Sequence, residues 1–396
     1  MNLSNGIEYL AIPGPSVIPE KVLQAMHRSS PNIYEGELVK LTDNIVPKLC
    51  KVARTEGHVA MYIANGHGAW EAALANTTDI GDKILVVATG RFGHGWGEIG
   101  QKNGLNTTVL DFGTSSTIDL ARLESALKKD KNYKAVLVTH VDTSTSVKNE
   151  IAPIRDLLNN LNHDALLLVD CIASLACDEF HMDDWGVDVM VAACQKGIMV
   201  PPGVSFVFFN QKAKDRQKSL KMVASYWDWD PRINPDYYYK YFGGTAPTHH
   251  LYGLDVALDM ILNESIEVVW KRHEVLAKAI WAAIDEWAKG GELKANIQDK
   301  NLRSNAVTSL RVNKPNGTLI RKWLQENTGL TIGIGLGMAT PKDPNGDGFF
   351  RLGHMGHVNA QMIMALIATL ETAMIAVGVP HGNNAINKAA SVIAEL

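Results

Sequence analysis

From residue 58 onward, short apolar runs alternate with stretches whose apolar positions recur every three to four residues. Val59–Ile63, Ile84–Ala88, Thr108–Leu110, Ala135–Thr139, Leu166–Val169, Val187–Ala192 and Val204–Phe209 read as strands. Leu120–Leu127 and Ile154–Leu161, lying between them, read as helices. Strands that are apolar at nearly every position are buried on both faces, so the pattern predicts an α/β fold with a mostly parallel sheet covered by helices. Ligands on such sheets sit at the carboxyl ends of the strands.

The pattern changes after about residue 262. Ile266–Trp287 has the periodicity of a long helix, and Val307–Val312, Gly317–Asn327 and Phe349–Leu352 indicate a smaller α+β unit. Met362–Val377 adds another helix. A chain of 396 residues exceeds the roughly 250–300 that one hydrophobic core supports. The expected division is an N-terminal arm over 1–20, a large domain over 21–262 and a small domain over 263–396, with no repeat or low-complexity tract.

Composition narrows the classes. The chain is 46% hydrophobic and 20% charged, as in globular proteins, and its net charge is −4. Nothing in that balance recruits nucleic acid or an anionic membrane. Cys50, Cys171, Cys177 and Cys194 form no CxxC pair or zinc spacing, so a reducing, cytoplasmic location and no metal are expected. Met1–Gly6 lacks the basic flank and apolar run of a signal peptide. The longest apolar stretches, such as Ala165–Val169, fall short of the ~20 residues that span a bilayer.

Three places could carry chemistry. Asn65-Gly66-His67-Gly68 follows a strand and opens a helix, a geometry that points unpaired N–H groups at an anion, although a plain glycine turn reads the same way. Asp170 ends the apolar run Leu166–Val169, where a carboxylate needs a partner charge or donors; it could equally be an N-cap for the next segment. Lys196 comes after the next strand, 26 residues on. An acid and a lysine at one sheet edge suit a pyridine cofactor, the acid holding the ring nitrogen protonated and the amine forming an imine.

These motifs resemble fold-type-I, class V aminotransferases, and within them the serine/alanine–glyoxylate branch. The resemblance is carried by Gly66–Leu74, Thr139-His140 with Ser144-Thr145, Leu167–Asp170 with Ala173-Ser174-Leu175, and Gln195-Lys196 with Pro201-Pro202-Gly203. Gly335-Leu336-Gly337 and Phe350–Gly356 extend it, so that it runs in order from Pro13 to about Val377. It implies a seven-stranded sheet in the large domain, pyridoxal 5′-phosphate as cofactor, and small amino acids and 2-oxo acids as substrates. Lys196 then matches the Schiff-base lysine and Asp170 the partner of the pyridine nitrogen. Phe92 matches the aromatic stacked on the ring, Ile172 the residue on its other face, and Ser144 the contact to the ring hydroxyl. Gly66, His67 and Gln195 match phosphate contacts, and Thr245 one supplied by a neighbouring subunit, which implies a homodimer with shared sites. Arg351 matches the guanidinium that grips the substrate carboxylate in a bidentate fork. Gly14 and Tyr34 lie where the N-terminal region approaches the substrate.

The sequence departs from that pattern in places. Phe242 stands where the family often has a tyrosine, and a phenyl ring cannot bond a phosphate. Met338–Phe349 is a longer connection whose Asp343-Pro344-Asn345-Gly346-Asp347 imitates a calcium loop but carries His354 at the twelfth position, and is read as a turn. The aromatic segment Tyr226–Tyr239 is read as interface packing, with a role in the substrate pocket as its alternative. Gly253–Asp259, Trp270–His273 and Gly353–Gly356 also resemble pyridoxamine–pyruvate aminotransferases, which bind the free vitamer. A lyase of the same fold is a further reading. A desulfurase needs a cysteine on a mobile loop, and a non-enzymatic binder is expected to lose Lys196 or Asp170.

Overall fold

A computed structural model describes residues 3–395. Seven strands form the larger sheet: β2 (His58–Tyr62), β3 (Lys83–Ala88), β4 (Asn106–Asp111), β5 (Tyr133–Thr139), β6 (Leu166–Asp170), β7 (Val189–Ala193) and β8 (Ser205–Phe209). They lie in the order β2-β8-β7-β6-β5-β3-β4. β4, β3, β5, β6 and β7 run parallel, while β8 is antiparallel to both β7 and β2. β2 therefore points the same way as the parallel set, and the carboxyl ends of the central strands meet at one edge.

The apolar runs alternate between two cores. Leu85, Val87, Val136, Val138, Leu167 and Val169 pack on one face. Ile84, Val86, Ala135, Leu137, Leu166 and Leu168 pack on the other. Each of the larger side chains contributes on the order of 2 kcal/mol by leaving water. A one-residue slip in any of these strands would exchange the two sets, so register is fixed by burial on both sides.

A second sheet has its own core. It joins β1 (Tyr9–Ala11), β9 (Lys294–Ala295), β10 (Val307–Arg311), β11 (Leu330–Ile334) and β12 (Phe349–Gly353) in the order β1-β11-β12-β10-β9. The N-terminal segment is thus a strand of this sheet, Tyr9 pairing with Leu330 and Ala11 with Ile332. Helices Ile266–Trp287, Asn316–Thr328 and Ala360–Val377 cover it.

Ala360–Val377 corrects one sequence expectation, because by length and composition it could cross a membrane. Here Ile363, Leu366, Ile367 and Leu370 enter the second core, and the one carboxylate on the helix, Glu371, accepts a hydrogen bond of 2.7 Å from Trp287 Nε1. The 338–349 connection is a turn closed from within: Asp343 accepts from the backbone N–H groups of Asp347 and Gly348 at 2.9 and 2.8 Å.

Candidate active site

The carboxyl ends of the central strands enclose a cavity of about 220 Å³, lined by Gly66, His67, Phe92, Asp170, Ile172, Gln195 and Lys196 together with Asn65, Trp70, Val141, Thr143 and Ala173. Seven of the residues singled out in the sequence converge there. Larger clefts exist elsewhere, but neither contains the acid–amine pair.

Each wall arises from local structure. After β2, Asn65 caps the helix Gly66–Ala75, its side chain accepting from His67 N and Gly68 N at 3.0 and 3.5 Å. Such a cap stabilises a helix by about 1 kcal/mol. Gly66 is required by space, since a Cβ there would come within 2.4 Å of Ile172 Cδ1. Burial, and after it the nearby charge of Arg91, lower the pKa of His67.

After β3, the helix Arg91–Lys102 starts at Gly90 with no cap of its own. Asp142, in the loop after β5, supplies it: one carboxylate oxygen accepts from Phe92 N at 2.8 Å and Gly93 N at 3.3 Å. The other accepts from Ser144 N at 3.0 Å and Ser144 Oγ at 2.5 Å. Asp142 therefore fixes Phe92 against the cavity. Ser144 faces this carboxylate and is absent from the cavity lining, where Thr143 stands instead.

Asp170 closes β6, almost fully buried. Its Oδ1 accepts from Ile172 N at 2.7 Å and its Oδ2 from Trp70 Nε1 at 3.0 Å. Burial outweighs these donors and pushes its pKa up to about 7. Lys196 is likewise buried. Loss of hydration, reinforced by the charge of Arg351, brings its pKa down to about 8. Its Nζ donates to the carbonyl of Pro13. Burial thus draws both pKa values towards neutral pH, which marks a candidate reactive site. Gln195 Oε1 is buried without a protein partner.

Arg351, on β12, is largely buried. Its Nε donates to Ile334 O at 2.7 Å and its Nη1 to Thr143 O at 2.9 Å. The Thr143 bond ties the guanidinium to the cavity wall. Nη2 makes no hydrogen bond among the described residues, and Arg351 stands behind Thr143, outside the residues that line the cavity. Burial brings its pKa down to about 10, and Asp142 opposes the fall.

Two candidates lie apart. Tyr34 is 86% exposed, Thr245 is exposed, and neither lines the cavity. Phe242 is fully buried, packed on Tyr238 and Tyr241. The aromatic segment divides: Trp229 stacks in the core on Phe209 at 3.9 Å, while Tyr237 and Tyr239 stack on each other at the surface at 6.0 Å. None of these rings reaches the cavity.

Known proteins resemble this chain along nearly its whole length. The family model described as "Aminotransferase class-V" matches residues 57–358. A serine–glyoxylate aminotransferase of Arabidopsis thaliana is 33% identical over 95% of this chain and 92% of its own length. An L-aspartate–glyoxylate aminotransferase of Paracoccus denitrificans is 33% identical over 93% and 91%. In structure, an alanine–glyoxylate aminotransferase from Nostoc sp. superposes with a TM-score of 0.84 at 25% identity, covering 94% of this chain and 96% of that one. A pyridoxamine–pyruvate aminotransferase from Mesorhizobium loti shares the fold at a TM-score of 0.88 and 24% identity, with full coverage of both chains. The chain belongs to the class V aminotransferase family and has the fold-type-I architecture of those transaminases.

Proposed function

We propose that this transaminase moves an amino group from a small α-amino acid (serine, alanine or aspartate) to glyoxylate or another short 2-oxo acid, using pyridoxal 5′-phosphate held by Lys196. The observation that carries the reading is the convergence of a buried amine, a buried carboxylate and a helix N-terminus on one cavity. These residues fit the cofactor. The helix N-terminus suits its phosphate, and Phe92 and Ile172 both line the cavity as walls for a flat ring. When bound, the cofactor supplies a carbonyl that condenses with amines and a ring that accepts electrons from the substrate α-carbon.

The chain does the rest. With a pKa near 8, Lys196 presents a substantial neutral fraction at physiological pH. It is thereby both a nucleophile and a base for the substrate Cα proton. Asp170 holds the proton of the ring nitrogen. Ile172 and Phe92 bound the ring slot, Ser144 steadies the wall toward the ring hydroxyl, and Gly66, His67 and Gln195 meet the phosphate. Arg351 orients the substrate through its α-carboxylate. Gly14 keeps the space beside Lys196, and Tyr34 belongs to the approach for substrate. The exposure of Thr245 and of the Tyr237–Tyr239 stack supports a homodimer in which Thr245 reaches the partner's phosphate. The four cysteines are free, which supports a reducing, cytoplasmic setting.

One observation favours a second reading. The Asn65 carboxamide already occupies the His67 and Gly68 amides, where a phosphate would bind, as a site for the free vitamer would allow. A donor-by-acceptor panel separates the two. The leading reading expects glyoxylate to be aminated fastest by small donors and slowly by aromatic ones, with pyridoxal phosphate bound far more tightly than pyridoxal. Efficient pyridoxamine turnover, with equal affinity for the two vitamers, would establish the alternative.

A further inference from the structure

Trp70 lies one helical turn beyond Gly66, on the helix whose N-terminus faces the cavity. Its indole is fully buried, stacked parallel to Trp96 at 6.0 Å and meeting Phe92 edge-on at 6.2 Å and His67 at 4.7 Å. Packing alone accounts for a large ring here. It does not account for where the N–H points: Nε1 donates to Asp170 Oδ2 at 3.0 Å. A phenylalanine would bury comparable area without that donor.

We infer that Trp70 is a positioning residue for the transamination, its indole N–H fixing the Asp170 carboxylate and keeping the shared proton on the cofactor's ring nitrogen. The inference rests on the proposed role of Asp170. Asp170 Oδ1 is held by Ile172 N and Oδ2 by Trp70 Nε1, so neither oxygen can rotate and each keeps a lone pair. A donor to a carboxylate stabilises its charged form and makes it a weaker base. A weaker base beside a pyridine nitrogen leaves the proton on the ring, where it draws electrons from the substrate. Without the indole N–H, Oδ2 would lie in a dry site short of one partner, Asp170 would become more basic, and the proton would shift towards the carboxylate. Because the same helix carries Gly66 and His67, one rigid element positions both the phosphate end and the ring-nitrogen end of the cofactor.

The test uses holoenzyme reconstituted with cofactor labelled with nitrogen-15 in the ring, whose resonance distinguishes protonated from neutral pyridine. Wild type should show the protonated form. Trp70→Phe should move the resonance toward the neutral form and weaken cofactor binding by about threefold to tenfold. In an Asp170→Ala background, adding Trp70→Phe should move the resonance no further. If Trp70→Phe does not fold, Trp70→benzothienylalanine keeps both fused rings and replaces only the N–H by sulfur, and the same shift is expected. If Asp170→Ala moves the resonance but neither Trp70 replacement does, Trp70 merely packs and the inference is overturned. If Asp170→Ala itself leaves the resonance in place, the role given to Asp170 is wrong and the inference falls with it.

Discussion

Gly14 and Lys196 touch: a Cβ on Gly14 would lie 2.7 Å from Lys196 Nζ and 2.6 Å from its Cδ and Cε. Gly14 also has φ +91°, which strains any other residue. The segment that follows β1 of the second sheet thereby brings backbone against the lysine that follows β7 of the first.

Gly14→Ala should therefore fold with a loss of about 1–3 kcal/mol from backbone strain. Its larger effect is displacement of the Lys196 amine. Thermal denaturation measures the first and cofactor capture by apoprotein the second. Normal capture in a variant destabilised only by strain would show that the lysine tolerates the intrusion.

Arg351→Ala should impair the half-reaction with every amino-acid donor by roughly 30-fold or more, the cost of losing a charge-assisted carboxylate pair. The visible spectrum of bound cofactor should stay nearly unchanged. Arg351→Lys should restore only part, because a point charge lacks the fork. Single-turnover rates with serine and alanine check this. Normal rates in Arg351→Ala would remove the carboxylate role.

Asp142 caps the helix that carries Phe92. Asp142→Ala removes that cap and leaves buried donors unpaired, and should cost about 2–4 kcal/mol in unfolding free energy. Asp142→Asn retains one acceptor and should cost less. Denaturant titration ranks the two, and equal stability of Asp142→Ala and wild type would contradict the assignment.

Much of this site is legible in the sequence because strand ends announce themselves. Asp170 and Lys196 each come after a run of apolar residues too regular for a surface strand, and the parallel sheet brings both ends to one edge. Asp142 stands in the same relation to β5 and carries the same signal, masked by the serine motif beside it. Trp70 gives no signal of its own role, since only the rotation of its helix decides whether an indole faces core or cavity. The N-terminal strand is invisible for a different reason. Tyr9–Ala11 is three residues long, too short for alternation to register, and its partner strand begins at Leu330, at the far end of the chain. Thr245 and Tyr34 carry no comparable signal: both are exposed and stand apart from the cavity.

The lowered pKa of Lys196 has a kinetic consequence. Capture of cofactor by apoprotein requires the neutral amine, whose fraction rises as pH passes upward through the folded pKa. The rate should climb to a plateau with its midpoint near pH 8, well below that of an ordinary lysine at about 10.4. Stopped-flow capture at several pH values measures the midpoint. A midpoint at the ordinary lysine value would mean that the amine is hydrated.

The proposed chemistry depends above all on which amine holds the cofactor. The direct measurement is borohydride reduction of the purified wild-type enzyme, with peptide mapping of the fixed pyridoxyl group. The geometry around Pro13, Gly14 and Asp170 predicts one labelled lysine, Lys196, and no fixation in Lys196→Ala. Stoichiometric label on any other lysine of the wild type would contradict it.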